Sequence, residues 1–237
     1  MKNKAITQAI LDAGVTHVDN PSGPRIDKVR KIFSNMKQGS IVLDIGCSNG
    51  TILEPCAGRH MIFGVDICPD LASAARKRGI QAQQHDFESG PLPFRSGSFD
   101  AVFFGEAIEH QLDTDYILSE INRVLKPGGE LVMTFPNIRT LLGLAMMAFL
   151  DLPPMYAARY RSPHFRDFTL TTVEMALKNH GFEIFQSLGS SFFVPKIGEC
   201  LPWIASFFPS WSHTVIVMAD KIADSIYKPK ETIGAIY

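Results

Sequence analysis

Apolar positions along this chain fall into two alternating patterns. Short, nearly continuous apolar runs, rich in β-branched and aromatic residues, occur at Ile41–Leu43, Met61–Val65, Phe99–Phe104 and Leu131–Phe135. Such runs predict strands buried on both faces, as in a parallel sheet. Ile80–Gln84, Phe182–Gln186 and Thr214–Ala219 bring the expected strands to seven. Between them lie stretches with helical spacing. Arg25–Met36 sets Ile26, Val29, Ile32 and Phe33 on one face. Asn49–Ala57 is expected to form a helix limited by Pro55, and Leu71–Arg78 one that starts at Pro69. Asp113–Leu125 is expected to turn Tyr116, Ile117, Ile121, Val124 and Leu125 inward, and Thr169–His180 to stop at Gly181. Strands alternating with helices predict an α/β fold with helices on both faces of one sheet.

The stretch from Ile41 to Gly50 organises the rest. Its strand runs into a turn carrying Gly46 and Gly50, where the backbone can bend sharply and approach a ligand. Twenty residues past Gly46, the second strand ends in Asp66. A carboxylate at that position of a doubly wound sheet suits ribose hydroxyls, so the pair predicts an adenosine-containing ligand. A dinucleotide turn needs a middle glycine to admit a pyrophosphate. Ser48 stands there instead, with Asp44 beside the turn, an arrangement that suits a nucleoside bearing positive charge.

The pattern Asp44-x-Gly46-x-x-x-Gly50 with Asp66 resembles the class I S-adenosylmethionine-dependent methyltransferases. So do the turn Leu125-Lys126-Pro127-Gly128-Gly129 before strand five, Asp86-Phe87, and the segment Glu106–His110. The likeness spans about residues 25–190. It implies a Rossmann-like, doubly wound seven-stranded sheet, mostly parallel with an antiparallel last strand. It also implies S-adenosylmethionine as cofactor and S-adenosyl-L-homocysteine as product. Asp44, Gly46, Cys47, Ser48, Gly50, Asp66, Ile67, Asp86, Phe87 and Glu106 would then line the cofactor site. In that likeness Asp86 accepts from the adenine amino group and the Phe87 amide meets the ring. Arg25 or Arg30, on the helix before strand one, would reach the cofactor's carboxylate unless both simply face solvent.

Ligands in open α/β sheets sit outside the carboxyl ends of the strands, at the switch in strand order. That places Glu106–His110, just past strand four, at the reaction centre. An oxygen nucleophile needs a base, and His110 is the first candidate, with Glu109 second. The alternative use of these residues is a divalent metal. Glu106, Glu109 and His110 share a face if the segment is helical, with His164 as a downstream fourth ligand. The E-x-x-E-H spacing resembles that of ubiquinone-pathway and small-RNA 3′-end O-methyltransferases; acid, base or hydrogen-bonding roles are preferred here over a metal.

Composition narrows the partners. In 237 residues, 46% hydrophobic and 20% charged, there is enough apolar content for one globular core. The net charge of −1 has no basic stripe, so an extended nucleic-acid footprint is not expected and a small-molecule acceptor is. The four cysteines lack C-x-x-C pairing, and the N-terminal lysines precede no apolar signal segment. A reducing, cytoplasmic setting is the expectation. Residues 1–24 read as a leader and 25–237 as a single domain. That domain carries an insertion at about 138–168, where Tyr156 and Tyr160 could wall the substrate, and an apolar segment at about 192–212. Cys200–Ala219 holds no Asp, Glu, Lys or Arg. It is expected as a buried hairpin, with peripheral membrane contact through Trp203, Phe207, Phe208 and Trp211 as the alternative. No stretch is long enough to span a bilayer, and oligomeric state is left open. Two rival functions remain: a nicotinamide-dependent oxidoreductase, and a catalytically silent cofactor-binding subunit.

Overall fold

The computed structural model describes residues 22–87, 90–152, 164–194 and 196–227. Most of the leader, Tyr156 and Tyr160 lie outside the described residues. Helix α1 (Pro24–Asn35) leads into β1 (Ile41–Ile45), β2 (Met61–Asp66), α2 (Pro69–Lys77), β3 (Gln81–Gln84) and β4 (Phe99–Gly105). Then come α3 (Thr114–Val124), β5 (Leu125–Pro136), α4 (Leu141–Leu150), α5 (Leu170–Asn179) and β6 (Phe182–Gly189). A small hairpin of β7 (Phe192–Val194) and β8 (Gly198–Cys200), the one-turn α6 (Pro202–Ala205) and β9 (Thr214–Lys221) follow.

The seven-stranded sheet has the order β3-β2-β1-β4-β5-β9-β6. β1 pairs in parallel with both β2 and β4, which makes the β1/β4 boundary the switch point. β9 is antiparallel to both β5 and β6. Successive strand residues face opposite layers, as the period of two demands. Val42, Ile62, Phe103 and Val132 meet Val29 and Phe33 of α1 and Ala72 and Ala75 of α2. Leu43, Val65, Val102 and Met133 meet Ile117 and Ile121 of α3 and Val173 and Leu177 of α5. The sheet is covered on both faces.

Four local expectations are corrected. Asn49–Ala57 forms turns and a short 3-10 helix, Glu54–Cys56, rather than an α-helix. Glu54 N donates to Gly50 O, but Pro55 has no N–H to continue the ladder to Thr51. Arg30 fills the gap, its guanidinium donating to Thr51 O (2.9 Å) and Ile52 O (3.1 Å). Its guanidinium is therefore engaged by the backbone and does not simply face solvent. In α3 the inward position belongs to Leu118, whereas Tyr116 is half-buried. The Lys126–Gly129 turn lies within β5 instead of preceding it: Phe99 pairs with Leu125 and Ala101 with Glu130, so the extra residues bulge out. Finally, Cys200–Ala219 is not a buried hairpin. It is α6, a 3-10 turn at Pro209–Trp211 and the buried strand β9, and its aromatic residues lie largely on the surface.

Candidate active site

The glycine turn is tightly specified. Gly46 (φ 76°), Ser48 (φ 50°) and Gly50 (φ 81°) are all left-handed. A Cβ on Gly50 would come within 2.8 Å of Ile80 Cδ1, so a side chain there is excluded on space as well as conformation. Asp66, at the carboxyl end of β2, anchors the turn. Its Oδ2 accepts from Ser48 N (2.8 Å) and its Oδ1 from Cys68 N (2.9 Å). A dinucleotide turn aims such amides at a phosphate. Here the Ser48 amide faces a carboxylate, which repels phosphate and attracts cations.

Asp44 is buried in β1 at the same end. Burial, and then the charge of Asp66, push its carboxyl up to about 8. Both effects would be relieved by a positive ligand alongside. The Cys47 thiol is pushed up by burial, Asp44 and Asp66, so it is no nucleophile. Asp86 and Phe87 follow β3 at the same end of the sheet, with the His85 and Phe87 rings 6.2 Å apart. His85 Nε2 is buried without a hydrogen-bond partner.

Past β4 the chain kinks. Glu106 has φ 50°, and only Ile108–His110 is helical, as a 3-10 turn. The expected face shared by Glu106, Glu109 and His110 does not form, because the left-handed residue rotates Glu106 away. Glu106 Oε1 accepts from Thr134 Oγ1 (3.1 Å), and Arg25 donates to the same hydroxyl at 3.4 Å. Burial raises the Glu106 carboxyl while Arg25 pulls it back. Arg25 thus reaches Thr134 and Glu106 past β4, whereas Arg30 is taken up by Thr51 O and Ile52 O. Thr134 was not singled out in the sequence, yet it is the one hydroxyl in the apolar run of β5.

Glu109, His110 and His164 come together instead. Glu109 Oε1 lies 4.0 Å from Nε2 of each histidine, and one ligand atom from each residue falls within 4.8 Å of the others. The two imidazoles meet edge to face with centroids 4.8 Å apart. A backbone bond from Phe165 N to Glu109 O (2.9 Å) holds the His164 segment in place. Burial, then Glu106, push Glu109 up to about 8. Burial, then His110, bring His164 down to about 4. His164 is therefore neutral near pH 7 with a lone pair to offer, and Glu109 Oε2 is buried without a partner. Among the described residues this is the cluster whose donor set fits a divalent metal.

Residues 43–133, which hold the glycine turn, Asp66, Asp86 and the Glu106–His110 segment, match the family model described as a methyltransferase domain. This stretch of the chain is a methyltransferase domain, similar to those of the class I S-adenosylmethionine-dependent enzymes. The chain is 35% identical over 121 residues to a protein described as probable tRNA methyltransferase 9B of Mus musculus, covering 50% of this chain and 26% of that one. It is 31% identical over 157 residues to the ubiquinone biosynthesis O-methyltransferase of Xanthomonas axonopodis pv. citri, covering 62% of this chain and 64% of that protein. The chain thus spans between about a quarter and two thirds of these relatives' lengths. In fold, the chain is similar to a putative methyltransferase from Bacillus halodurans (TM-score 0.62, 19% identity, 85% of this chain and 100% of that one). It is likewise similar to a putative methyltransferase from Haloferax volcanii, solved in complex with the Trm112 activator (TM-score 0.59, 19% identity, 84% and 94%).

Proposed function

We propose that this chain transfers a methyl group from S-adenosylmethionine to an oxygen atom of a small-molecule acceptor. The observation that carries the reading is the acidic glycine turn: Asp44 and Asp66 line it, and Asp66 takes up the Ser48 amide that a diphosphate would need. This also weighs against a nicotinamide dinucleotide.

The cofactor supplies a methyl carbon already activated by a positive sulfur, which leaves alignment and proton removal to the protein. Asp66, whose two oxygens accept from the Ser48 and Cys68 amides at the end of β2, is the carboxylate placed for the ribose hydroxyls. Asp86 and Phe87 bound the adenine end, with Ile67, Cys47 and the turn glycines forming the wall between. Arg25, held against Thr134 beside Glu106, offers a cation to the amino-acid end. His110 takes the acceptor's proton, with the Glu109 carboxyl 4.0 Å from its Nε2.

A second reading is favoured by the unpartnered Glu109 Oε2 and the neutral His164. Glu109, His110 and His164 would hold a divalent cation, which would lower the pKa of an acceptor hydroxyl bound to it. Titration calorimetry tests the shared premise: S-adenosylmethionine and S-adenosyl-L-homocysteine should both bind. Binding of NAD(H) without either would sink the proposal. A broad acceptor screen with no methyl transfer, despite cofactor binding, would favour the silent-subunit alternative.

A further inference from the structure

A surface beside the site is more apolar than a water-facing protein surface needs to be. Helix α4 reads LLGLAMMAFL, without one polar side chain, and Gly143 alone is buried among its residues. A helix apolar all round is normally covered. At ten residues it is about 15 Å long, half of what a bilayer core requires. No helix among the described residues is long and apolar enough to cross a membrane. The later apolar segment exposes Trp203 (68%), Phe207 (77%) and Phe208 (53%), and the β7–β8 hairpin tip exposes Ile197 (73%). A groove of about 350 Å³ between Leu141, Phe192, Ile204, Phe208 and Trp211 joins the two regions.

This exposure is built in. Lys28 Nζ reaches across from α1 to Gly189 O (2.6 Å), Ser190 O (2.9 Å), Pro202 O (2.6 Å) and Ser206 Oγ (2.8 Å). The base of the aromatic segment is thereby clamped. Asn137 Nδ2 donates to Ser210 O and Ser212 O, fixing the segment to the end of β5. The aromatic rings are held outward from a rigid base.

We propose that this face docks on a lipid bilayer surface. Three features select that occupant. Cys200–Ala219 has no charged side chain for a protein partner's charges to match, while Trp and Phe are the residue types that settle at the headgroup level. The flanking cations Arg139 and Lys196 are exposed, and Arg139 stacks 4.9 Å over Trp211, as suits lipid phosphates. Of the nearby acids, Glu199 is tied to Ser191 Oγ (2.8 Å), and Asp151 caps the far end of α4. The face also adjoins the reaction centre: Glu199 and His213 contribute to the electrostatics of Glu106, and α4 starts where β5 ends. On the methyl-transfer reading, an acceptor with a lipid tail would enter from the membrane; the docking itself does not depend on that reading.

The test is flotation of the full chain with phosphatidylcholine vesicles, with and without phosphatidylglycerol. The protein should float with the vesicles, more so with the anionic lipid, and less as salt is raised. The double variant Trp203→Ser, Phe207→Ser should lose about ten-fold or more in vesicle affinity. Its melting temperature and S-adenosylmethionine affinity should stay unchanged, which separates a failure of docking from a failure of the cofactor site. No flotation of the parent protein, flotation that the double variant leaves intact, or self-association abolished by the same variant without vesicle binding would each overturn the proposal.

Discussion

The amide of Ser48 donates to Oδ2 of Asp66 across 2.8 Å. One carboxylate thus holds the glycine turn in its left-handed course at the end of the sheet where the proposed ligand would sit. Turn geometry and ligand affinity are linked through it. Asp66→Ala should therefore weaken S-adenosylmethionine by about 100-fold, the order expected for losing a charge-assisted hydrogen-bonding anchor. Calorimetry checks this, and an unchanged dissociation constant would remove Asp66 from the site.

Asp44 makes cofactor binding depend on pH. Its folded-state carboxyl is pushed up to about 8, so the free protein carries a proton there near neutrality. A cation alongside favours the ionised form, and binding expels the proton. Affinity for S-adenosylmethionine should rise with pH and level off above about 8. The uncharged sulfur of S-adenosyl-L-homocysteine should give a shallower slope, and Asp44→Asn should flatten both. Titrations in buffers of different ionisation enthalpy count the protons directly.

The same shift bears on stability with no ligand present. The unfolded chain ionises Asp44 near 3.8, the folded one only near 8. Across that window the folded state binds more protons, so stability falls as pH rises and the loss is complete above about 8. Thermal melts of the free protein should show this decline, and Asp44→Asn should lessen it.

Glu109, His110 and His164 separate the two catalytic readings. His110→Ala should lower kcat by about 10²- to 10⁴-fold while cofactor affinity stays within a few-fold. If the trio holds a metal, chelation should abolish turnover, added Mg²⁺ or Zn²⁺ should restore it, and His164→Ala should raise the metal concentration required. Activity indifferent to chelator leaves His110 as base, with Glu109 supporting it.

Lys28 places a cation among four acceptors on two segments far apart in sequence. Lys28→Met leaves those carbonyls short of a donor, and a loss of about 2 kcal/mol in unfolding free energy is expected. Denaturant titration at unchanged m-value would show it. A stability equal to the parent's would mean that water replaces the ammonium without cost.

Much of the framework was legible in the chain itself. The β-branched runs at Ile41, Met61, Phe99 and Leu131 became the central strands, because burial on both faces leaves a local pattern. The glycine turn was legible for a similar reason: Gly46, Gly50 and Asp66 act through backbone geometry over a short span. Asn49–Ala57 was misread as helical although Pro55 was in view, since apolar spacing does not reveal which carbonyls Arg30 will satisfy. Glu106 left the expected ligand face through a single left-handed residue. What the sequence determined alone was the alternation of elements, the sheet and its glycine turn, all encoded in residues near one another. What only the tertiary structure decided was the pairing of distant groups: His164 with Glu109, Lys28 with Pro202, Thr134 with Glu106 and Arg25. Those pairings depend on how packed layers bring separate segments within a few ångströms, and a periodicity of two or 3.6 carries no record of that distance.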